Sequence, residues 1–193
     1  MTESFIGILG CIGSGKTTAA KYIQQHYQYK LLSVAEPLRK IGLIFGFTPQ
    51  QIYGSQQDKL EVHPRWGISS RRFLQVMGTE VFREYVPQVL PDMKIQYGVW
   101  IDLMVHKIQT YKYQRVVTDI RFPDEVKMVK DMGGIVIRLK RNAPHLTDSS
   151  NQHISEQLVD QPDVDYEFDN NGTLDELHGF LDQVVQTDLK MEK

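Results

Sequence analysis

Hydrophobic positions along the chain follow two alternating patterns. Short apolar runs of strand length alternate with longer segments in which apolar residues recur every three or four positions. The predicted strands are Phe5–Leu9, Tyr29–Val34, Val116–Thr118, Ile135–Leu139 and Tyr166–Phe168. The predicted helices are Thr17–Gln28, Pro37–Phe45, Ser69–Tyr85, Ile95–Thr110, Pro123–Asp131 and Leu174–Thr187. This alternation predicts a three-layer α/β fold, in which a mainly parallel five-stranded sheet carries helices on both faces.

The segment that joins the first predicted strand to the first predicted helix reads G-C-I-G-S-G-K-T, from Gly10 to Thr17, and matches the phosphate-loop pattern. Backbone N–H groups of such a loop surround a phosphate, and the helix N-terminus adds partial positive charge. The sequence therefore predicts a site for ATP with Mg²⁺, in which Lys16 contacts the β- and γ-phosphates and the Thr17 hydroxyl binds the metal. The residues assigned to the nucleotide here are Gly10, Gly13, Ser14, Gly15, Lys16, Thr17 and Thr18.

Composition narrows the ligand class. The formal net charge is −2, and no Lys/Arg run exceeds two residues, so neither a nucleic acid nor a membrane surface is the expected partner. One cysteine cannot form an internal disulfide, the N-terminus lacks a secretion signal, and the six histidines show no metal-ligand spacing. We therefore expect a small-molecule substrate, no structural zinc and a reducing, cytoplasmic setting, which is the host cytoplasm if the chain is viral.

Two stretches fit neither pattern. Thr48–Gly67 and Arg141–Ser155 are polar or interrupted by proline and glycine. In a phosphate-loop protein of the size of a small kinase, such insertions usually bind the acceptor or act as a lid. We expect one domain over residues 1–193, with an acceptor-binding region at about 48–100 and a lid at about 141–155.

The predicted helix Ser69–Tyr85 has two distinct faces. At about 100° per residue, four polar side chains fall within about 80° of one another, while apolar residues and Tyr85 lie opposite. These polar residues are Arg72, Gln75, Thr79 and Arg83. Guanidinium groups mixed with an amide and a hydroxyl suit a phosphate and a base edge. Gly78 is unfavourable within a helix, which indicates that a neighbouring group packs close to the backbone.

Further polar residues follow the later strands. Asp119 is expected to act on Mg²⁺ or its waters as a Walker B aspartate does, with a turn-capping role as the alternative, and Arg121 to contact a phosphate. At least one of Arg138 and Arg141 is expected to neutralise the transferring phosphoryl group, and Arg141 is assigned to catalysis. The loop after the last strand is expected to pack around adenine through Asn171 and Gly172, or to serve only as a turn with a Thr173 cap.

These segments resemble the bacteriophage-type deoxynucleoside monophosphate kinases, a branch of the P-loop nucleoside monophosphate kinase superfamily. V-A-E-P-L-R from Val34 is similar to the family's F-A-x-P-L-K. The run that begins at Arg71 or Arg72 and ends at Arg83 is similar to its R-x-x-L-Q-x-x-G-T-E-x-x-R. Either Arg71 or Arg72 can align with the family arginine. Trp100 stands where the family tends to carry a tryptophan. Three further segments resemble family elements: D-I-R-F-P-D-E from Asp119 is similar to D-x-R-F-P-N-E, H-I-S-E from His153 to H-x-S-E, and N-N-G-T from Asn170 to N-D-G-T.

The resemblance implies transfer of the γ-phosphoryl group of ATP to a deoxynucleoside 5′-monophosphate. Catalysis is then assigned to Lys16, Asp119, Arg121 and Arg141, and the metal to Thr17 and Asp119. The acceptor site implied by the resemblance consists of Lys59, Arg72, Gln75, Thr79, Arg83, Trp100 and Arg121. Trp100 could stack on the base or fill the core. The resemblance leaves homodimerisation open.

Three alternatives share the phosphate loop. Dephospho-coenzyme A kinases have a similar N-terminal segment and size, but the G-T-E and R-F-P segments argue against that assignment. A kinase of another small phosphate-bearing metabolite is the second alternative, because the fold does not fix the acceptor. A GTP-dependent switch is the remote third, since the sequence contains no N/T-K-x-D guanine-reading motif.

Overall fold

The first strand, β1 (Phe5–Leu9), lies at the centre of a parallel sheet in the computed structural model, which describes residues 4–110, 113–142 and 163–191. The other strands are β2 (Lys30–Leu32), β3 (Arg115–Ile120), β4 (Ile135–Lys140) and β5 (Tyr166–Asp169). The strand order is β2-β3-β1-β4-β5, with Ile6 opposite Val116 on one side and opposite Ile135 on the other. The predicted five-stranded parallel sheet is confirmed.

Both faces of β1 are covered, because all five of its residues are buried. On one face, Ile6 and Ile8 join a core built with α1 (Lys16–Tyr27) and α9 (Leu174–Met191). On the other face a Cβ on Gly7 would lie 3.0 Å from Val129 of α8 (Pro123–Asp131). Alternation of side chains along the strand thus places helices on both faces, as the apolar run predicted.

The chain divides into two compact units, which we describe separately. The first comprises residues 1–33 and 104–193 and contains the sheet, while the second comprises residues 34–103. The predicted acceptor-binding region, about 48–100, falls within the second unit. The assignment of the whole chain to one domain stays a prediction. No helix in the described ranges is both long and apolar enough to span a membrane.

Helices make up most of the second unit. They are α2 (Glu36–Ile44), α3 (Pro49–Tyr53), α4 (Gln56–Leu60), α5 (Ser70–Val76), a π-helix (Met77–Tyr85), α6 (Val86–Val89) and α7 (Val99–Thr110), which continues into the first unit. A small core of Phe47, Ile52 and Phe73 holds the unit together. Phe47 and Phe73 have ring centroids 5.1 Å apart, an arrangement that stabilises the contact beyond simple burial.

The prediction that Thr48–Gly67 is irregular was wrong, because α3 and α4 lie within it. Each of these helices begins with a capping box. The Thr48 hydroxyl accepts from Gln51 N, and the Gln51 side chain accepts from Thr48 N. Ser55 and Asp58 make the same reciprocal pair. Such caps satisfy backbone donors that a five-residue helix would otherwise leave exposed.

The prediction of a single α-helix over Ser69–Tyr85 was also wrong, because the segment contains two types of helix. The α-helical backbone ends at Val76 and continues as a nine-residue π-helix. Since π-helical bonds link residues five apart, the spacing of about 100° per residue does not hold beyond Met77. Thr79 is consequently buried at 7 % exposure, whereas Tyr85, predicted to face the core, is 57 % exposed.

Candidate active site

The phosphate loop connects β1 to α1 and has the backbone that its sequence predicts. Gly15 has a φ of +98°, a left-handed conformation that glycine adopts without strain, and it precedes the first residue of α1. Lys16 folds back over the loop, and its Nζ donates to the carbonyl oxygens of Gly10 at 2.5 Å and Cys11 at 2.6 Å. The ammonium group is therefore held at the loop.

Several features of this loop fit a bound phosphate. The first turn of α1 contains no acidic residue, and Gly15 provides no side-chain cap, so the positive end of the helix faces no carboxylate from its own first turn. The Ser14 hydroxyl is buried and has no hydrogen-bond partner among the described residues. A buried donor without a partner is costly, and a phosphate oxygen would satisfy it. Thr17 and Thr18 are exposed at the same helix end.

Asp119 lies near the carboxyl end of β3, in the strand next to β2. The strand continues to Ile120, so Asp119 is inside it rather than after its end, as the sequence had suggested. The Ser33 hydroxyl, just beyond β2, donates to Asp119 Oδ2 at 2.5 Å. This bond orients the half-buried carboxylate. Thr17 and Asp119 supply a hydroxyl and a carboxylate oxygen, the donor types that Mg²⁺ prefers, so the residues fit that ion.

The turn after β3 is held by Glu125, which is buried at 4 % exposure. Its carboxylate accepts from Arg121 N at 2.7 Å and from Phe122 N at 3.1 Å. Glu125 therefore caps the start of α8, the role that the alternative interpretation had given to Asp119. The half-buried Arg121 is positioned by this capped turn.

The loop between β5 and α9 contains two neighbouring asparagines with different surroundings. Asn170 is buried, and its Nδ2 donates to Ser14 O at 2.9 Å. Asn171 is exposed, and its Oδ1 accepts from Asn142 N at 2.8 Å. Thr173 caps α9 as predicted: its hydroxyl accepts from Glu176 N, and Glu176 Oε2 accepts from Thr173 N at 2.7 Å. Hydrogen bonds from the Thr173 backbone N and, with a smaller effect, from the Thr173 hydroxyl lower the pKa of Glu176.

One cleft in the first unit brings several predicted nucleotide residues together. Thr18 lies on α1, Gly172 lies on the loop after β5, and Arg141 follows β4. The cleft is lined by Gly15, Thr18, Arg141, Asn170, Gly172, Thr173, Leu174 and Leu177. It therefore combines the phosphate loop with a cation and an apolar surface, the combination expected for a nucleotide.

Arg138 does not have the catalytic position that the sequence allowed. Its side chain is 9 % exposed, and its Nη1 donates to Glu167 Oε2 at 3.0 Å, while Lys140 Nζ donates to Oε1 at 2.7 Å. The hydrogen bond from Lys140 and, with a smaller effect, the one from Arg138 lower the pKa of Glu167. Arg138 thus ties β4 to β5, and Arg141 is left as the candidate. The rest of the predicted lid, from residue 143, lies outside the described residues.

The predicted polar face in the second unit is only partly brought together. Arg72 is exposed, Gln75 and Arg83 are half-buried and Thr79 is buried. Arg71 donates through Nη2 to Gln56 Oε1, which holds it to α4. This contact favours Arg72 over Arg71 as the ligand-binding arginine. Lys59 is half-buried on α4.

Trp100 fills the core rather than offering a stacking surface. It is 7 % exposed, its Nε1 donates to Gly78 O at 2.9 Å, and its ring centroid lies 4.7 Å from that of Phe82. Stacking on a base needs an accessible ring face. The assignment of Trp100 to direct base stacking therefore disagrees with this structure.

Gly78 is closely packed, as its position in a helix predicted. A Cβ there would lie 2.8 Å from Leu38 Cδ2, and the Gly78 carbonyl accepts the Trp100 indole. Both neighbours belong to the second unit. The Trp100 indole thus binds the carbonyl of the second residue of the π-helix.

Neither Ser33 nor the Asn170 side chain has a role that local sequence patterns predict. Ser33 follows β2, and the carboxyl ends of neighbouring parallel strands meet at one edge, so strand order would have indicated its contact with Asp119. The contact between Asn170 and Ser14 spans 156 residues, and no local pattern predicts it.

Comparison with known proteins identifies relatives. A family model described as deoxynucleotide monophosphate kinase matches residues 50–180. A protein of Acanthamoeba polyphaga mimivirus, provisionally named deoxynucleotide monophosphate kinase, is 33 % identical over 189 residues that cover 93 % of each chain. The deoxynucleotide monophosphate kinase of Escherichia phage RB69 is 26 % identical over 130 residues, which span 65 % of this chain and 47 % of the phage protein.

Solved structures share the fold at low identity. Dephospho-CoA kinase from Campylobacter jejuni superposes with a TM-score of 0.52 at 13 % identity and covers both chains completely. Shikimate kinase from Acinetobacter baumannii gives 0.51 at 14 % identity over 98 % of this chain and 94 % of that one. These similarities concern the fold alone.

Proposed function

The chain belongs to the deoxynucleotide monophosphate kinase family, and we propose that it transfers the γ-phosphoryl group of ATP to the 5′-phosphate of a deoxynucleoside monophosphate. Membership makes the protein a phosphotransferase that acts on nucleotides. The products are ADP and a deoxynucleoside diphosphate. The observation that carries the proposal is the cleft that joins Gly15 and Thr18 to Gly172 and Arg141. We infer further that the enzyme acts on the cytoplasmic nucleotide pool, that of the host if the chain is viral.

The first unit is proposed to bind ATP. The phosphates would lie against the loop amides and the Ser14 hydroxyl, with Lys16 turning from the Gly10 and Cys11 carbonyls to the β- and γ-phosphates. The adenine would lie against Gly172 and Leu174, which is 60 % exposed and offers an apolar surface. Arg141 lines the same cleft and is proposed to neutralise phosphate charge.

Mg²⁺ is proposed to bind at the Thr17 hydroxyl and at Asp119 or the waters it holds. The ion would neutralise charge on the phosphates during transfer. Ser33 keeps the Asp119 carboxylate in one orientation through its 2.5 Å hydrogen bond. A magnesium ion in such a site takes several of its ligands from phosphate and water, so a hydroxyl and one carboxylate are a sufficient protein contribution.

The acceptor is proposed to bind through the polar residues of the second unit, Lys59, Arg72, Gln75 and Arg83. In the first unit, Arg121 is proposed as a phosphate ligand. Guanidinium groups bind phosphate with two parallel hydrogen bonds and fix its orientation. Buried Thr79 and Trp100 are proposed to support this surface rather than to contact the base.

Transfer itself asks for little covalent chemistry from the side chains. An oxygen of the acceptor phosphate bonds to the γ-phosphorus, and the bond from that phosphorus to the oxygen bridging to the β-phosphate breaks, which leaves ADP. The two reacting groups are anions, so the protein contributes alignment and positive charge. This is why the proposed catalytic residues are Lys16, Arg121 and Arg141, with Asp119 acting through the metal.

The test is ADP release from ATP and Mg²⁺ with a panel of acceptors. The panel contains dTMP, dGMP, dCMP, dAMP, modified pyrimidine deoxynucleotides, the ribonucleotides and dephospho-coenzyme A. Turnover with at least one deoxynucleotide, well above the rate with ATP alone, supports the proposal and defines the base range. Activity with dephospho-coenzyme A alone would overturn the proposed acceptor and leave the ATP site standing. A lack of turnover across the panel would overturn the proposed reaction.

Replacement of Arg83 by alanine is expected to raise the KM for the deoxynucleotide by about 10- to 100-fold, with a smaller effect on the KM for ATP, because a charge-assisted bond to the acceptor phosphate is lost. Steady-state kinetics with each substrate varied in turn measure this split. Lys40→Ala, which removes an exposed positive charge from α2 of the same unit, is the control. Kinetics like those of the wild type for Arg83→Ala at limiting acceptor would remove Arg83 from the site.

A further inference from the structure

Asn170 makes a contact that the family motif and the cleft leave unexplained. It follows β5 directly, is 8 % exposed, and its backbone N donates to Lys140 O at 2.7 Å. The backbone is thereby fixed to the end of β4. Its side-chain Nδ2 donates to Ser14 O at 2.9 Å, inside the phosphate loop. One residue thus connects the loop after β5 to the loop after β1.

The contact is close as well as directional. A Cβ on Gly15 would collide with Asn170 Nδ2, so the amide lies directly against the Ser14–Gly15 peptide. Glycine at position 15 is therefore required for space in addition to its φ of +98°. Packing of this kind leaves the peptide little freedom to rotate.

Holding one side of a peptide also orients its other side. In a trans peptide the C=O and the following N–H lie in one rigid plane and point in opposite directions. The bond from Asn170 to Ser14 O therefore sets the direction of the Gly15 N–H. Backbone N–H groups of this loop are the donors that surround a nucleotide phosphate.

The start of α9 does not account for the position of this amide. Thr173 and Glu176 form the capping box of that helix. The exposed Asn171 binds Asn142 N instead. The Asn170 carboxamide lies on the phosphate loop, away from this helix cap.

We propose that Asn170 is a positioning residue that holds the Ser14–Gly15 peptide in the orientation that binds the nucleotide phosphates. The proposal deepens the proposed ATP site and rests on it. Asn170 also lines the cleft, but in this role it acts on the nucleotide through the Ser14–Gly15 peptide. Its effect belongs to phosphate binding and should be independent of the base.

The test compares Asn170→Asp and Asn170→Ser with the wild type, with inorganic triphosphate as the probe because it has phosphates and no base. N170D keeps the shape of the side chain but has no N–H to donate at neutral pH, whereas N170S keeps a donor. We expect N170D to raise the Kd for triphosphate, measured calorimetrically, by about tenfold or more, and N170S to recover part of that loss. Gln183→Ala, which removes an exposed amide from α9, should leave the Kd unchanged.

A second measurement uses the wild-type chain and does not depend on the folding of a variant. The side-chain amide protons of Asn170, observed by NMR, should exchange slowly with solvent and shift when triphosphate is added. A wild-type triphosphate Kd in folded N170D, or an Asn170 signal that triphosphate leaves unmoved, would overturn the positioning role. Failure of the proposed reaction is a separate result, because it would appear as absent turnover in the wild type.

Discussion

Replacement of Lys16 by alanine is expected to lower kcat/KM for phosphoryl transfer by about a thousandfold or more. The ammonium group already lies at the phosphate loop, 2.5 Å from Gly10 O and 2.6 Å from Cys11 O. It is thus positioned to offset the charge that the phosphates carry in the transition state, and loss of one such preorganised donor typically costs 10²- to 10³-fold or more. Coupled measurement of ADP release, with the best acceptor of the panel, gives the value.

The matched control for this prediction is Lys21→Ala. Lys21 lies on the same helix, α1, and its side chain is exposed. The control removes the same charge away from the loop and should retain near wild-type turnover. Circular dichroism would check that both variants keep the fold. A Lys16→Ala enzyme that is folded and loses less than tenfold in kcat/KM would contradict the proposed role of the lysine.

Replacement of Trp100 by alanine is expected to lower the free energy of unfolding by about 3–5 kcal/mol, the range for a buried large aromatic side chain. The ring is 7 % exposed and packs on Phe82, and the indole N–H binds Gly78 O in the π-helix. Urea denaturation followed by circular dichroism measures the change. Trp66→Ala is the control, because Trp66 is 45 % exposed, and its loss should cost about 1 kcal/mol. Equal losses in the two variants would contradict the assigned burial.

Trp100→Phe distinguishes support of the helix from stacking on a base. Phenylalanine keeps an aromatic ring that could stack but has no N–H for Gly78 O. If Trp100 supports the π-helix, this variant should alter the KM for all four deoxynucleotides by a similar factor. Changes that differ strongly between purines and pyrimidines, measured on the same panel, would instead favour contact with the base.

Local patterns predicted the fold and the position of the glycine-rich loop between β1 and α1. The apolar run Phe5–Leu9 and the glycine-rich loop after it are short-range signals, and the structure reproduces β1 with the same bounds. Parallel strands that are buried on both faces carry such runs with little ambiguity. The capping boxes that begin at Thr48 and Ser55 each involve residues only three positions apart. Local sequence therefore also indicated the two helices in the segment that was predicted to be irregular.

Other features depend on contacts that no local pattern contains. Arg138 was one of two arginines considered for catalysis, but its strand neighbour Glu167 is 29 residues away in sequence and becomes a partner only when β4 and β5 pair. Next to the change from α- to π-helix at Met77, Gly78 packs against Leu38 and binds Trp100, and both residues are distant in sequence. A helical wheel assumes one fixed turn and could not have anticipated it.

The π-helix also changes how the family motif is interpreted. Arg72 lies on α5, before the widened segment, and Arg83 lies within it, so the direction between their side chains depends on how many residues the wide turns contain. In a relative with one residue fewer here, an ordinary α-helix would rotate Arg83 by about 100° about the axis. The spacing between these two arginines therefore encodes a direction in space. An alignment that inserts a gap between them implies a differently shaped surface in the proposed acceptor site, even where every motif residue is retained.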